Sequence, residues 1–156
     1  MTGQTADRSV AHATFTIERR YAAAPARVFK AFEDPAQKRR WFVEGEGWEI
    51  ESFEMDFRVG GFERSSFRFQ GGPLVTNETI YQDIVPEKRI IVAYRMTVGG
   101  NPISASLATM QFEPDGKGTR LVFTEQDAFL DGYDDVGQRE EGCRELLEAL
   151  AKELDR

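Results

Sequence analysis

Glu141-Gly-Cys-Arg-Glu-Leu-Leu-Glu-Ala-Leu-Ala-Lys-Glu-Leu154 is the stretch on which the rest of the chain depends. Val136, Cys143, Leu147, Leu150 and Leu154 recur at helical spacing, and Leu146 widens them into an apolar stripe. Asp131, Asp134 and Asp135 precede the stripe, where carboxylates cap free N–H groups and oppose the positive helix end. A long helix with such a face needs a cover. Nearly everything before it alternates with the period of a strand, so the expected cover is a sheet wrapped around the helix. Whether the two meet tightly or enclose a hollow decides whether there is a binding site between them.

Upstream of the helix the pattern is regular. A first strand is expected over Ala13–Tyr21, after a loose tail over residues 1–12. Pro25 suits a first helical position, and Val28, Phe29 and Phe32 give that short helix an apolar face. Asp34-Pro35 repeats the signal for a second short helix to Trp41, with Lys38, Arg39 and Arg40 in its last turn, where cations suit the negative helix end. Further strands are expected over Trp48–Asp56, Gly61–Phe69, Leu74–Ile84, Arg89–Val98, Ile103–Glu113 and Thr119–Asp127. Gly- and Pro-rich breakers separate them, among them Gly99-Gly-Asn-Pro and Pro114-Asp-Gly-Lys-Gly. Connections this short make antiparallel neighbours. The fold class is therefore α+β: one curved antiparallel sheet of about seven strands, two short helices after the first strand, and a long terminal helix. Residues 13–156 form a single domain.

The chain has 156 residues, net charge −7, twelve Phe, one Cys and one His. The acidity argues against nucleic acid as a partner. No run reaches the roughly 20 apolar residues of a membrane span, and the start lacks the apolar core of a signal peptide. A lone cysteine fits a reducing, cytoplasmic compartment. No dedicated catalytic, phosphate-binding, dinucleotide or metal motif is present, so no cofactor and no metal are expected.

Alternation assigns the faces. Ile90, Val92, Tyr94 and Met96 share one, Ala108, Met110 and Phe112 another, and Leu121 and Phe123 a third. Two continuations stand out: Leu121 and Phe123 lead on to Glu125 and Asp127, and Phe67 leads back to Ser65 and Glu63. Either a bulge or an early strand end turns these carboxylates out, or the concave side has a polar end. On the convex side Ile91, Ala93, Leu107 and Val122 leave apolar spots for a possible homodimer.

The residues also carry a resemblance. Ala24-Pro25 with Val28-Phe29-Lys30-Ala31-Phe32, Asp34-Pro35, Arg40-Trp41-Phe42, Glu54-Met-Asp-Phe-Arg-Val-Gly-Gly61, Tyr81-Gln-Asp-Ile-Val-Pro-Glu-Lys-Arg-Ile90, Gly118-Thr-Arg-Leu121 and Thr124-Glu-Gln126 stand in the order found in one family. With Glu141-Gly142-Cys143 and the leucines after it, they resemble the family named after the activator of the heat-shock protein 90 ATPase, within the START-like (SRPBCC) superfamily. That resemblance implies a helix-grip fold with a cavity for a small apolar or amphipathic molecule. Superfamily members include lipid carriers, plant hormone-binding proteins, aromatic polyketide cyclases and toxin-sequestering resistance proteins. Related sequences commonly carry a large aromatic where this chain has Cys143, which removes bulk from the helix face.

Candidate ligand-binding residues are Trp41, Trp48, Glu63, Phe67, Tyr94, Met96, Met110, Phe112, Phe123, Glu125, Arg139 and Cys143. Arg139 sits one turn before Cys143, where it either pairs with Glu63, Glu125 or Asp127 at the cavity mouth or lies in solvent. Glu63 and Glu125 are candidate acid–base groups if desolvated, and ordinary exposed carboxylates if not. Trp41, Phe42 and Trp48 either gate the pocket or pack the helix–sheet junction. Val136, Arg139 and Cys143 are expected to face the hollow, and Leu146, Leu147, Leu150 and Leu154 to close the dry end. Three functions follow: ligand binding without chemistry, a cyclase- or hydrolase-type enzyme using a cavity carboxylate with Arg139, or a chaperone ATPase activator-like partner domain.

Overall fold

The computed structural model describes residues 8–156. Its strands are β1 (Val10–Tyr21), β2 (Trp48–Met55), β3 (Phe62–Phe69), β4 (Val75–Val85), β5 (Arg89–Val98), β6 (Asn101–Asp115) and β7 (Gly118–Leu130). Its helices are α1 (Pro25–Glu33), α2 (Pro35–Phe42) and α3 (Val136–Leu154). The strands form one open antiparallel sheet in the order β1-β7-β6-β5-β4-β3-β2, so β1 and β2 are its edges. β2 to β7 follow one another as a meander, and β1 closes on the last strand, where Ile17 faces Phe123.

Local sequence explains the joints. Gly99 and Gly100 both take positive φ, 58° and 84°, in the two-residue turn between β5 and β6. That backbone matches the right-handed twist of the flanking strands and favours glycine. Register shifts interrupt the β2–β3 pairing at Ile50/Ser52, the β4–β5 pairing at Tyr81/Asp83 and the β5–β6 pairing at Met96/Thr97. Each adds local bend and twist, which lets the sheet curve around α3. The side chain of Asp34 accepts from Ala36 N to start α2, and that of Asp135 accepts from Gln138 N to start α3. Asp131 and Asp134 have other roles: Asp131 accepts from Ser9 N, and Asp134 pairs with Arg139.

The sheet is longer at its ends than the sequence pattern suggests. Val10, Ala11 and His12 belong to β1 and pair with Leu130, Phe129 and Ala128, so the strand starts before Ala13. The remaining expected tail, residues 1–7, lies outside the described residues. On the convex face Ile80, Ala93 and Leu107 are neighbours in one row, with Ile80 and Leu107 exposed and Ile91 and Val122 half-buried. Among the described residues no helix is long and apolar enough to cross a membrane.

The dry part of the core lies under α1 and the C-terminal half of α3. Phe112 meets Phe29 and Phe32 edge to face, with ring centroids 5.5 and 5.3 Å apart, and Leu121 and Leu150 are fully buried beside them. Tyr21 ties α3 down by donating its hydroxyl to the Leu147 carbonyl at 2.9 Å.

Candidate functional site

Away from that dry end the concave face turns polar along one line. Glu63, Thr79, Tyr94, Ser106 and Asp127 face one another in succession across β3 to β7. The row beside it reads Tyr81, Val92, Ala108 and Glu125. β7 keeps its register against both β1 and β6 from end to end, so no bulge turns Glu125 or Asp127 outward. Strict period-two geometry then puts both carboxylates on the side of the helix. Glu63, Glu125 and Asp127 are 3%, 1% and 4% exposed, which overturns their reading as exposed carboxylates.

Between this face, α2 and α3 lies a cavity of about 470 Å³. Trp41, Trp48, Phe67, Met96, Met110, Phe123 and Cys143 line it, together with Tyr94, Glu63, Glu125 and Arg139. Phe112, the twelfth candidate, does not: its ring is held between Phe29 and Phe32 in the dry core, because β6 carries it past the end of the hollow. The expected division of α3 also shifts. Val136 is exposed and away from the cavity, whereas Leu146 and Leu147 line it. The hollow therefore reaches one turn further along the helix than the sequence suggests. Trp41 packs on Phe32 and gives its indole N–H to the Ala31 carbonyl, so it is a wall fixed by packing. Trp48 is 41% exposed at the rim, edge to face with Phe67.

Two charged clusters stand on the walls. In the first, Arg139 is buried rather than exposed, and its Nη1 donates to Tyr94 Oη at 3.0 Å, Ser106 Oγ at 3.3 Å, Asp127 Oδ1 at 3.4 Å and Glu125 Oε2 at 3.5 Å. Its Nη2 donates to Ser104 Oγ at 2.7 Å and Asp134 Oδ2 at 2.9 Å. Burial disfavours the guanidinium charge, but Tyr94 and the three carboxylates outweigh burial and raise its pKa. The pKa of Glu125 is pushed up to about 8, chiefly by burial and then by its hydrogen bond and charge contact with Asp127. Asp127 Oδ2 is buried with no hydrogen-bond partner among the described residues. A proton held on Glu125 leaves one fewer negative charge in the dry site that it shares with Asp127. Tyr94 is held well above its usual pKa, chiefly by burial and then by Glu125. The Cys143 thiol, 3.9 Å from Glu125 Oε1, is also raised, by burial before any charge. Such a thiol is a poor nucleophile.

The second cluster escaped the sequence reading. Lys38 is 7% exposed and lines the cavity. Its Nζ donates to Glu63 Oε1 at 3.0 Å, and Tyr81 Oη donates to the same oxygen at 2.7 Å. The ammonium also lies 4.4 Å from the centroid of Phe42, with Trp41 and Phe32 beyond it. Its neighbours in the basic run point elsewhere: Arg39 pairs with Glu44, and Arg40 grips the buried Glu153 with two hydrogen bonds. The signal was the spacing of Lys38 from Trp41, three residues apart and so on one helix face.

No curated protein matches the chain. Among solved structures, the Mll3558 protein from Rhizobium loti is 56% identical with TM-score 0.87, covering 93% of this chain and 99% of that one. A protein from Rhizobium leguminosarum is 46% identical with TM-score 0.92 over 96% and 99% of the two chains. Protein CV1439 from Chromobacterium violaceum is 25% identical with TM-score 0.76 over 92% and 97%. The fold shared with them is the START-like helix grip. The family described as "Activator of Hsp90 ATPase homolog 1-like protein" matches residues 22–155, and the chain belongs to it.

Proposed function

We propose that this protein binds a small apolar or amphipathic molecule in the space between the sheet and α3. The observation that carries the reading is the cavity itself: about 470 Å³, walled mainly by aromatic and aliphatic side chains, with polar groups gathered at two places. That volume and composition are typical of small-molecule sites, in which a few polar groups orient a largely apolar ligand. The test is titration with a neutral apolar dye such as Nile red, alongside native mass spectrometry of gently purified protein. The reading expects saturable one-to-one dye binding that Cys143→Phe removes by filling the space. Absence of saturable binding, or binding indifferent to that substitution, would defeat it.

Glu125 supports a second reading, an acid–base enzyme of cyclase or hydrolase type. Its carboxyl lines the cavity and holds a proton near neutral pH, as a general acid requires. Arg139 beside it would steady negative charge on a reacting oxygen. In this reading Glu125→Gln abolishes turnover of a bound ligand while leaving its binding intact; unchanged turnover removes the idea. Activation of a chaperone ATPase, which the family description suggests, has no group in this cavity to argue it.

A further inference from the structure

The two charged clusters differ in what they leave free. Around Arg139 both terminal guanidinium nitrogens are engaged, and Asp127, whose Oδ2 has no partner among the described residues, is not part of the cavity wall. At Lys38 the match is incomplete. Both hydrogen bonds to Glu63 end on Oε1, and among the described residues none reaches Oε2. Lys38 carries three N–H donors, and its one hydrogen bond among the described residues goes to Glu63; ring faces surround the rest. The ion pair lines the cavity and keeps, among the described residues, an acceptor oxygen on Glu63 and N–H donors on Lys38 that no hydrogen bond takes up.

We propose that the Lys38–Glu63 pair is the head-group subsite of the cavity and selects a neutral hydroxyl or amide, which donates to Glu63 Oε2 and accepts from Lys38 Nζ. The pair is already neutral as a unit. A ligand carboxylate would find a donor on Lys38 but would stand against the charge of Glu63 in a poorly solvated site. A ligand ammonium would find the acceptor but be repelled by Lys38. Either would bring an unmatched charge out of water, which a low-dielectric site penalises heavily. A hydrocarbon would leave both free groups unsatisfied. Only a group that donates and accepts without net charge meets the geometry. Trp41 and Phe42, against which the ammonium lies, then form the wall on which the ligand's flat or aliphatic body rests.

This rests on the ligand-binding reading, and the two fail differently. Displacement of Nile red at neutral pH by naphthol, naphthamide, naphthoate, naphthylmethylammonium and methylnaphthalene compares head groups on one apolar body. Naphthol and naphthamide are expected to bind about tenfold or more tightly than the other three, the size of one hydrogen bond to a charged group. In Glu63→Gln the carbonyl keeps accepting from Lys38 and Tyr81 while an amide N–H2 replaces the free acceptor. The preference for naphthol is then lost and naphthoate gains. In the neutral double variant Lys38→Met/Glu63→Gln the advantage of naphthol over methylnaphthalene shrinks, while the two charged probes stay weak. Equal binding of the five probes to the wild-type protein, tighter binding of naphthoate, or an unchanged preference in either variant overturns the subsite. If neither dye nor any probe binds, the ligand-binding reading falls and the subsite with it. Discrimination by the wild-type protein decides the matter even if a variant fails to fold.

Discussion

The Tyr94 hydroxyl donates to Glu125 Oε1 at 2.8 Å while accepting from Arg139 Nη1 at 3.0 Å. Tyr94 thereby joins the middle of the sheet to α3 through a hydroxyl whose donor and one acceptor site are both taken. The contact also separates the two oxygens of Glu125: Oε1 takes the Tyr94 hydroxyl and lies near Cys143 Sγ, and Oε2 accepts from Arg139.

Among the described residues Arg139 is the only cation in that cluster, against Glu125, Asp127 and Asp134. Arg139→Met leaves buried carboxylates without compensation, and its expected cost is about 3–5 kcal/mol. Urea unfolding at neutral pH measures it. A loss under about 1 kcal/mol would mean that the cluster protonates or hydrates readily.

The pH dependence has a definite sign. Glu125 binds its proton more tightly folded than unfolded, with the folded pKa at about 8 against an ordinary value of 4.5. Its stabilising contribution is complete below the unfolded pKa and is lost as pH rises toward about 8. The groups facing it are Tyr94, Asp127, Arg139 and Cys143. Unfolding midpoints across the neutral range should therefore fall for the wild-type protein relative to Glu125→Gln, which has no proton to lose. Parallel curves would contradict the assignment.

α3 is expected to respond unevenly to truncation. Leu150 is fully buried at the dry end, so Leu150→Ala opens a new void and costs about 2–5 kcal/mol. Leu146 already borders the hollow, and Leu146→Ala enlarges an existing space for about 1 kcal/mol. Equal losses in thermal or urea unfolding would mean that the cavity collapses around the helix.

Cys143 is shielded by burial, and its thiol is held in the protonated state. Alkylation by iodoacetamide at mildly alkaline pH should be slow in the folded protein and fast in denaturant. Rapid modification of the folded protein would show a cavity mouth wider than the rim at Trp48.

The architecture was legible because it depends on periodicity. Strand alternation and short turns, four of five carrying glycine, set the meander, and the leucines of α3 demanded its cover. Much of the cavity wall was legible for the same reason: Tyr94, Met96, Met110 and Phe123 follow strand alternation. What escaped was set by tertiary placement. Lys38 sits in a basic run that the negative end of α2 explains equally well, and only the arrival of β3 opposite makes it a buried partner of Glu63. Phe112 obeys the alternation of Ala108 and Met110, yet α1 covers the sheet at its height. Glu153 looks like a solvated residue near the helix end until Arg40 closes over it. Glu125 and Asp127 were ambiguous because alternation says which face a residue takes only if the strand holds register, and sequence does not reveal that.

A sheet that must stay open to hold a helix leaves two strands able to recruit a third from another molecule. In β2 that hazard is met by Glu49, Glu51 and Glu54, all exposed, and by the register shift at Ile50/Ser52 that spoils a flat template. An incoming copy of the same strand would bring like charge against like charge. Part of the chain's acidity thus serves to keep neighbouring molecules from polymerising edge to edge.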